Sequence, residues 1–268
     1  MTHIAPVPTM GVPDTPTPTT SKINGATALS SAGEASTSRA SASTVYDLSH
    51  PLTNGAVPTF HWSHPSYCAN CVSSVAKGDV SNVHAITIGT HTGTHIDAPY
   101  HFFTDGATVD KLDLSLLTAA PAVVVDVRRK EAHGRITWED LRPYEGRMGK
   151  GVAVLLCTGW SKNWNQPHYS DHPFLDPDAA RKLIEIGVRV VGVDAMSPDE
   201  VREGTGDALE THKAILGNGG VIVENLVGLE RILEDGVDRK DLRVSILPLS
   251  LTDCDGSPVR AVAWVEGV

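Results

Sequence analysis

The stretch His91-Thr-Gly-Thr-His95-Ile-Asp97-Ala-Pro-Tyr-His101 places three imidazoles and a carboxylate within eleven residues. Groups of these types at that density hold a metal ion or move protons. Imidazole with carboxylate suits zinc or manganese. A metal held by His91, His95 and Asp97 keeps positions open for water and draws that water's pKa toward neutrality. One isolated histidine more often does surface or hydrogen-bonding work, but three beside an aspartate point to a metal. His101 is left open as a further ligand or a general acid, because an ordinary histidine titrates at about pH 6.5.

Two later residues invite the same chemistry. Glu224 interrupts the apolar run Val221-Ile-Val. A buried carboxylate needs a cation, a donor or a metal. His212 lies upstream on a short helical pattern, so the pair could complete a second metal position or a proton relay. Read alone, Glu224 fits an edge or salt-bridged residue equally well, and His212 a surface histidine. Other groupings carry less. No G-x-S-x-G elbow occurs. Gly217-Asn-Gly-Gly220 precedes a strand, whereas a dinucleotide fingerprint follows one. His168 and His172 sit in a Pro-bounded polar segment and read as surface. Cys68-Ala-Asn-Cys71 has no second pair to make a structural zinc site, so free thiols in a loop are expected.

The elements that must position these residues are those of an α/β chain. Thr44–Ser49 has a strand pattern. Residues 50–83 are rich in Pro, Ser and Asn with scattered aromatics, and read as a long pocket wall or a surface loop. His84–Gly89 alternates and is β-branched, so it predicts a strand. His91 and His95 are four apart, but the β-branched Thr90, Thr92, Thr94 and Ile96, with Gly93 and Pro99, disfavour a helix. In an extended segment His95 and Asp97 share a side. Residues 120–127, 151–157, 188–194 and 221–226 read as buried strands. Thr137 starts a short helix with Asp140 as its reciprocal acid. A second helix begins at the cap Asp176 with Pro177 in its first turn and ends at Gly187. A third covers 211–217. Residues 161–175 read as a polar loop. Residues 243–249 and 258–265 are the last strands, joined by a turn at Asp253–Gly256.

Composition narrows the function class. The first 43 of the 268 residues are rich in Thr, Ser, Pro and Ala, contain no aromatic residue, and are expected to be disordered. The remaining stretch, 44–268, is long enough for one sizeable core. A formal net charge of −10 argues against non-specific nucleic-acid binding. No apolar run approaches the roughly 18 residues of a membrane span. A soluble, cytoplasmic protein acting on a small molecule is expected.

With these residues in view, the chain resembles the cyclase family of metal-dependent hydrolases, which includes bacterial-type kynurenine formamidase and isatin hydrolase. The resemblance covers residues 45–266 and rests first on His91-Thr-Gly-Thr-His95-Ile-Asp97-Ala-Pro-Tyr-His101. Supporting matches are Asp47-Leu-Ser-His-Pro-Leu52, Thr158-Gly-Trp160, Gly192-Val-Asp194, His212 and Glu224 with Asn225-Leu226, and Asp255-Gly-Ser-Pro-Val-Arg260-Ala. It implies a single-domain α/β structure of the swivelling β/β/α type, assembled as a homodimer or higher oligomer. It implies that His91, His95 and Asp97 bind a first metal. Asp97 is then available to bridge to a second metal held by His212 and Glu224, and His101 serves as acid/base or further ligand. One or two zinc or manganese ions are expected.

The chain departs from the kynurenine formamidase pattern at Thr94 and Ile96, where those enzymes tend to carry Ala, and in residues 54–83, which lack their Pro-Gly-Asp run. The expected reaction is hydrolysis of a carbon–nitrogen amide bond, N-formyl or lactam, in a small aromatic substrate. Trp160, Phe60 and Trp62 are candidates for an aromatic pocket wall. The alternatives are a lactone hydrolase or cyclase/dehydratase using the same metal site, and a catalytically silent binder of a small molecule or metal.

Overall fold

A computed structural model describes residues 44–59, 64–202, 209–236 and 241–266. The Ser/Thr/Pro-rich tail over 1–43, Phe60 and Trp62 lie outside the described residues. In chain order the strands are β1 (Val45–Asp47), β2 (Cys68–Ser73), β3 (Val83–Thr87), β4 (His95–Asp97), β5 (Ala120–Asp126), β6 (Arg135–Ile136), β7 (Ala153–Cys157), β8 (Phe174–Leu175), β9 (Val190–Val193), β10 (Val221–Glu224), β11 (Leu242–Ser245), β12 (Gly256–Pro258) and β13 (Val262–Val265). The α-helices are α1 (Trp138–Leu141), α2 (Pro177–Glu185), α3 (Glu210–Leu216) and α4 (Leu229–Glu234). None is long and apolar enough to cross a membrane.

The four apolar runs β5, β7, β9 and β10 lie side by side and parallel. Their continuous hydrophobicity follows from burial on both faces. Antiparallel neighbours extend them to a nine-stranded sheet in the order β1-β13-β11-β5-β7-β9-β10-β4-β12. The sheet curls back on itself: Ser49, after the edge strand β1, bridges Leu226, after β10.

Alternation along each strand sends side chains into two cores. Ala122, Val124, Leu155 and Val223 face the first, inside the curl, with Leu48, Val244, Ala263 and the α4 residues Leu229 and Ile232. Val123, Val125, Leu156 and Ile222 face the second, under α1, α2 and α3. This layering is the expected β/β/α arrangement. Helix α2 carries the punctuation read from its sequence. Asp176 accepts from the Asp178 amide at 2.8 Å, Pro177 occupies the first turn, and Gly187 turns the chain away with φ +98°. Its Leu183 is fully buried, and that burial contributes roughly 2 kcal/mol. Asp194, just past β9, accepts from the Thr158 amide and hydroxyl at 2.7 and 2.6 Å and from the Gly159 amide at 2.9 Å. It thereby ties the carboxyl ends of β7 and β9 together.

Four expectations are corrected. Residues 50–83 are not wholly irregular, since β2 forms an antiparallel ribbon with β3. That ribbon stands apart from the large sheet, and β3 is exposed along its whole length. Cys68 and Cys71 lie on β2, not in a loop, although they are free thiols as expected. Residues 161–175 are not a polar loop: Tyr169, His172, Phe174 and Leu175 are buried, and β8 pairs in parallel with β6. His172 is therefore an interior histidine. Burial holds its pKa down, and the Pro173 carbonyl takes the proton of Nδ1 at 2.9 Å.

Candidate metal centre

The site forms at the carboxyl ends of β9 and β10, where open α/β sheets place their ligands. Strand β4 is three residues long, so His95 and Asp97 project to one side and Ile96 to the other. Ile96 is fully buried in the first core and anchors the strand. Antiparallel pairing sets His95 opposite Glu224 and Asp97 opposite Ile222. This register explains the carboxylate that interrupts β10: it faces the histidine cluster. On the other edge of β4, Gly256 lies opposite Asp97. A Cβ there would sit 2.8 Å from His91 Cε1 and 2.9 Å from the Ile96 carbonyl, so only glycine admits the His91 ring. The turn before β4 uses Gly93 at φ +67°. Helix α3 brings His212 in from the second layer.

The polar geometry is regular. Each of three imidazoles has one nitrogen held from behind by an oxygen and the other turned to Asp97. His91 Nε2 lies 2.8 Å from Asp255 Oδ2, His95 Nδ1 2.9 Å from the Gly93 carbonyl, and His212 Nδ1 2.7 Å from Asp199 Oδ2. On the inner side, His91 Nδ1 and His95 Nε2 lie 2.7 and 3.2 Å from Asp97 Oδ1, and His212 Nε2 lies 3.5 Å from Asp97 Oδ2. Glu224 spans the same pair of rings, with Oε2 3.3 Å from His95 Nε2 and Oε1 3.3 Å from His212 Nε2. His101 stands at the edge, its Nδ1 3.0 Å from Asp255 Oδ2 and its ring centroid 4.0 Å from that of His91.

Two buried atoms at the centre, His95 Nε2 and Asp97 Oδ2, have neighbours in charge range but no hydrogen-bond partner. Such orphans are costly unless something fills the gap. His91 with Asp97 and His101, and His95 with Asp97 and Glu224, each offer three ligand atoms within 4.8 Å of one another. The orphaned pair, the oxygen-backed imidazoles and the mixed nitrogen and oxygen donors fit a divalent metal.

Electrostatics points the same way. Asp97 and Glu224 are both buried, and no Lys or Arg is among the described residues lining the cavity. Burial works against charge on His95, yet the Asp97 carboxylate raises its pKa to about 10. Burial likewise opposes charge on His91, while hydrogen bonds to Asp255 and Asp97 bring it to about 9. The pKa of Asp97 is held well below the usual range, against its burial, chiefly by His95. The cluster therefore demands positive charge, which protons or a metal ion can supply.

A cavity of ≈ 50 Å³ sits on this floor, walled by Pro58, His64, Phe102, Met196 and Leu209. Phe102 stacks on the His212 ring at 5.0 Å. Asn225 closes one side, its amide donating to the Gly93 carbonyl at 3.0 Å while Tyr169 Oη donates to its Oδ1 at 2.8 Å.

The structure thus brings His91, His95, Asp97, His101, His212 and Glu224 together. Trp160 is not with them: it does not line the cavity, its Nε1 donates to the Tyr169 carbonyl at 3.0 Å, and its ring packs on the second core. The left-handed turn at Gly159, φ +71°, sends it there. The sequence gives Asp199 no site role, and Asp255 enters only within the motif Asp255-Gly-Ser-Pro-Val-Arg260-Ala, with no role of its own. Each sits in turn-like sequence, where aspartate is ordinary, and neither shares a spacing with the histidine it backs.

The Cyclase family model matches residues 46–200. A kynurenine formamidase from Bacillus cereus is 36% identical over 216 residues, covering 81% of this chain and 95% of that protein. Among solved structures, isatin hydrolase A from Ralstonia solanacearum superposes with a TM-score of 0.74 at 26% identity, covering 84% of this chain and 92% of that one. A structure described as a potential metal-dependent hydrolase with cyclase activity gives a TM-score of 0.65 at 28% identity, covering 85% and 100%.

Proposed function

Because the chain belongs to the Cyclase family, we propose that it is a metal-dependent hydrolase of a carbon–nitrogen amide bond in a small aromatic substrate, either an N-formyl amide or a cyclic amide. The observation that carries this reading is the buried, partnerless pair His95 Nε2 and Asp97 Oδ2 inside a ring of oxygen-backed imidazoles. His91, His95 and Asp97 would hold one ion, and His212 and Glu224 beside Asp97 would hold a second. Zinc or manganese suits these donors, and either supplies a Lewis acid for the carbonyl and a nucleophilic water near neutral pH.

The chain's own groups do the rest. His101 lies beside the ligands and is more exposed than they are. It delivers a proton to the departing nitrogen as the carbon–nitrogen bond breaks. The carbonyl carbon gains the oxygen of water and becomes a carboxylate while the nitrogen becomes an amine: two products from an N-formyl amide, one ring-opened product from a cyclic amide. Phe102, Met196 and Leu209 present an apolar wall to the substrate's ring and exclude bulk water.

Protein purified without chelator is expected to carry one or two metal equivalents and to hydrolyse N-formylkynurenine or isatin. A folded His95→Ala protein is expected to lose metal and turnover together; if it keeps both, the reading fails. We further read the enzyme as a cytoplasmic homodimer or larger homo-oligomer. Its free thiols suit a reducing compartment. The exposed apolar residues Val72, Val83 and Ile86 on the β2–β3 ribbon suit contact with a second copy. Sedimentation at several concentrations tests the assembly, and a monomer throughout would refute it.

A further inference from the structure

We propose that Asp255 is a positioning residue that holds His101 for proton transfer to the leaving nitrogen and, through the same oxygen, steadies His91. The proposal rests on the hydrolase reading above, with His101 as the proton carrier.

The argument begins with how firmly Asp255 is placed. Its backbone carbonyl accepts from the Ala98 amide at 2.9 Å, and the carbonyl of the preceding Cys254 accepts from the Val109 amide at 2.8 Å. The residue that follows, Gly256, pairs with Asp97 in the β4–β12 ladder. The chain around Asp255 is thus pinned to both ends of the segment that carries His101. That segment is itself closed by the His101 amide donating to the Ala98 carbonyl at 2.9 Å. Backbone and side chain of Asp255 therefore grip one turn, at Ala98 and at His101.

The side chain then does something specific. A single oxygen, Oδ2, lies 3.0 Å from His101 Nδ1 and 2.8 Å from His91 Nε2. An ionised carboxylate only accepts, so both imidazoles must present an N–H to it. For His101 this fixes which nitrogen is free: with Nδ1–H committed to Asp255, Nε2 alone is left to give and take a proton. Without Asp255 the ring can rotate about χ2 and exchange tautomers, and a proton carrier in the wrong tautomer is inactive. For His91 the same contact orients the ring so that Nδ1 meets Asp97 at 2.7 Å. A carboxylate behind a ligating imidazole typically adds about 10- to 100-fold to metal affinity. One oxygen therefore couples the group that holds the ion to the group that moves the proton.

The test uses full-length enzyme and its Asp255→Ala and Asp255→Asn variants, with folding checked by circular dichroism and melting. Two substrates that differ in the basicity of the departing amine, 4-nitroformanilide and 4-methoxyformanilide, report on proton delivery. At saturating metal, Asp255→Ala is expected to lose roughly 100-fold or more in kcat on the methoxy substrate, with a much smaller loss on the nitro substrate and little change in KM. Asp255→Asn keeps one acceptor oxygen and is expected to fall between. Equal losses on both substrates would overturn the proton-transfer role, as would no loss on either. Chelator competition gives a readout independent of turnover: Asp255→Ala should bind zinc about 10- to 100-fold more weakly, and unchanged affinity would overturn the link to His91. Wild-type protein inert on every amide would refute the hydrolase reading instead, while the affinity measurement would still judge Asp255.

Discussion

Asp199 offers a sharp test of whether His212 is a ligand, because its carboxylate has two separable jobs. One oxygen accepts from the Thr211 amide at 2.8 Å; the other accepts from the His212 amide at 2.9 Å and from His212 Nδ1 at 2.7 Å. It caps α3 from outside and fixes the ring that α3 carries. Asp199→Ala leaves two backbone N–H groups buried and unpaired at residues that are 0% and 5% exposed. Each orphaned donor costs about 1–3 kcal/mol, so roughly 2–6 kcal/mol is expected. For a domain of this size about 1 kcal/mol moves Tm by 2–4 °C, which gives a fall of roughly 4–24 °C. Separately, loss of the carboxylate behind His212 is expected to weaken metal binding about 10- to 100-fold.

Asp199→Asn distinguishes the two jobs. Its single carbonyl oxygen can serve the two donors of His212 or the one of Thr211, but its NH₂ must face whichever is left. A smaller fall in Tm is expected, together with a loss of affinity from the missing charge. The assay is thermal melting in chelator paired with metal competition at pH 7. If Asp199→Ala melts early but binds metal with wild-type affinity at every equivalent, Asp199 is a helix cap only and His212 is no ligand. If neither Tm nor affinity moves, the geometry around α3 is wrong.

Further outcomes follow from single contacts. Gly256→Ala puts a methyl 2.8 Å from His91 Cε1 and 2.9 Å from the Ile96 carbonyl; the ring must swing off Asp97 and the β4–β12 pairing must part slightly, so elemental analysis should find metal lost, with a lowered Tm. Thr94→Val keeps shape but removes the acceptor of the His50 amide, 2.9 Å, and the donor to the Asn225 carbonyl, 2.6 Å; about 2 kcal/mol should be lost, read as a Tm lower by roughly 4–8 °C. Burial pushes the Asp194 carboxyl up to about 7, although Thr158 and Gly159 donate to it. An unfolded aspartate titrates at about 4, so between these values only the native state holds the proton. The stability this group contributes is complete below pH 4 and is lost as pH rises toward 7. The Tm of wild type minus that of Asp194→Asn should therefore fall across that window and then level, whereas a flat difference would show Asp194 ionised throughout.

The parts of this architecture that follow from local rules could be read from the chain. Period-two spacing puts His95 and Asp97 on one side of an extended segment. The Asp176, Pro177 and Gly187 signals delimit α2. The apolar runs become the four parallel strands because burial on both faces removes any alternation. What could not be read depends on register between distant segments. Glu224 stands out in the chain as a carboxylate in an apolar run, but its place opposite His95 is set by the pairing of β10 with β4. Asp255 acts on histidines 164 and 154 residues away and Asp199 on one 13 residues away, and none of these separations is a local period that pairs them. His172 looked like surface because its neighbours are polar and Pro-bounded, yet β8 next to it pairs with β6 and draws the segment inward. Helix α4 and strand β12 are too short to show a period.

The distribution of charge explains why the centre is assembled from so many elements. A buried carboxylate without a counter-charge is expensive, and β4 and β10 place two of them, Asp97 and Glu224, on adjacent strands facing one cavity. No single segment could supply the compensating groups without breaking its own apolar pattern. The fold instead draws one imidazole from the turn before β4, one from β4 itself and one from α3 in the second layer. Each is backed by an oxygen: His91 by Asp255 before β12, His95 by the Gly93 carbonyl in the turn before β4, and His212 by Asp199 ahead of α3. Those backing oxygens make the imidazoles better donors toward the centre and restrict their rotation, which raises affinity for a divalent ion. His212 on α3 meets Asp97 of β4 and Glu224 of β10, so the groups that would bind the metal also join the curled sheet to the helical layer.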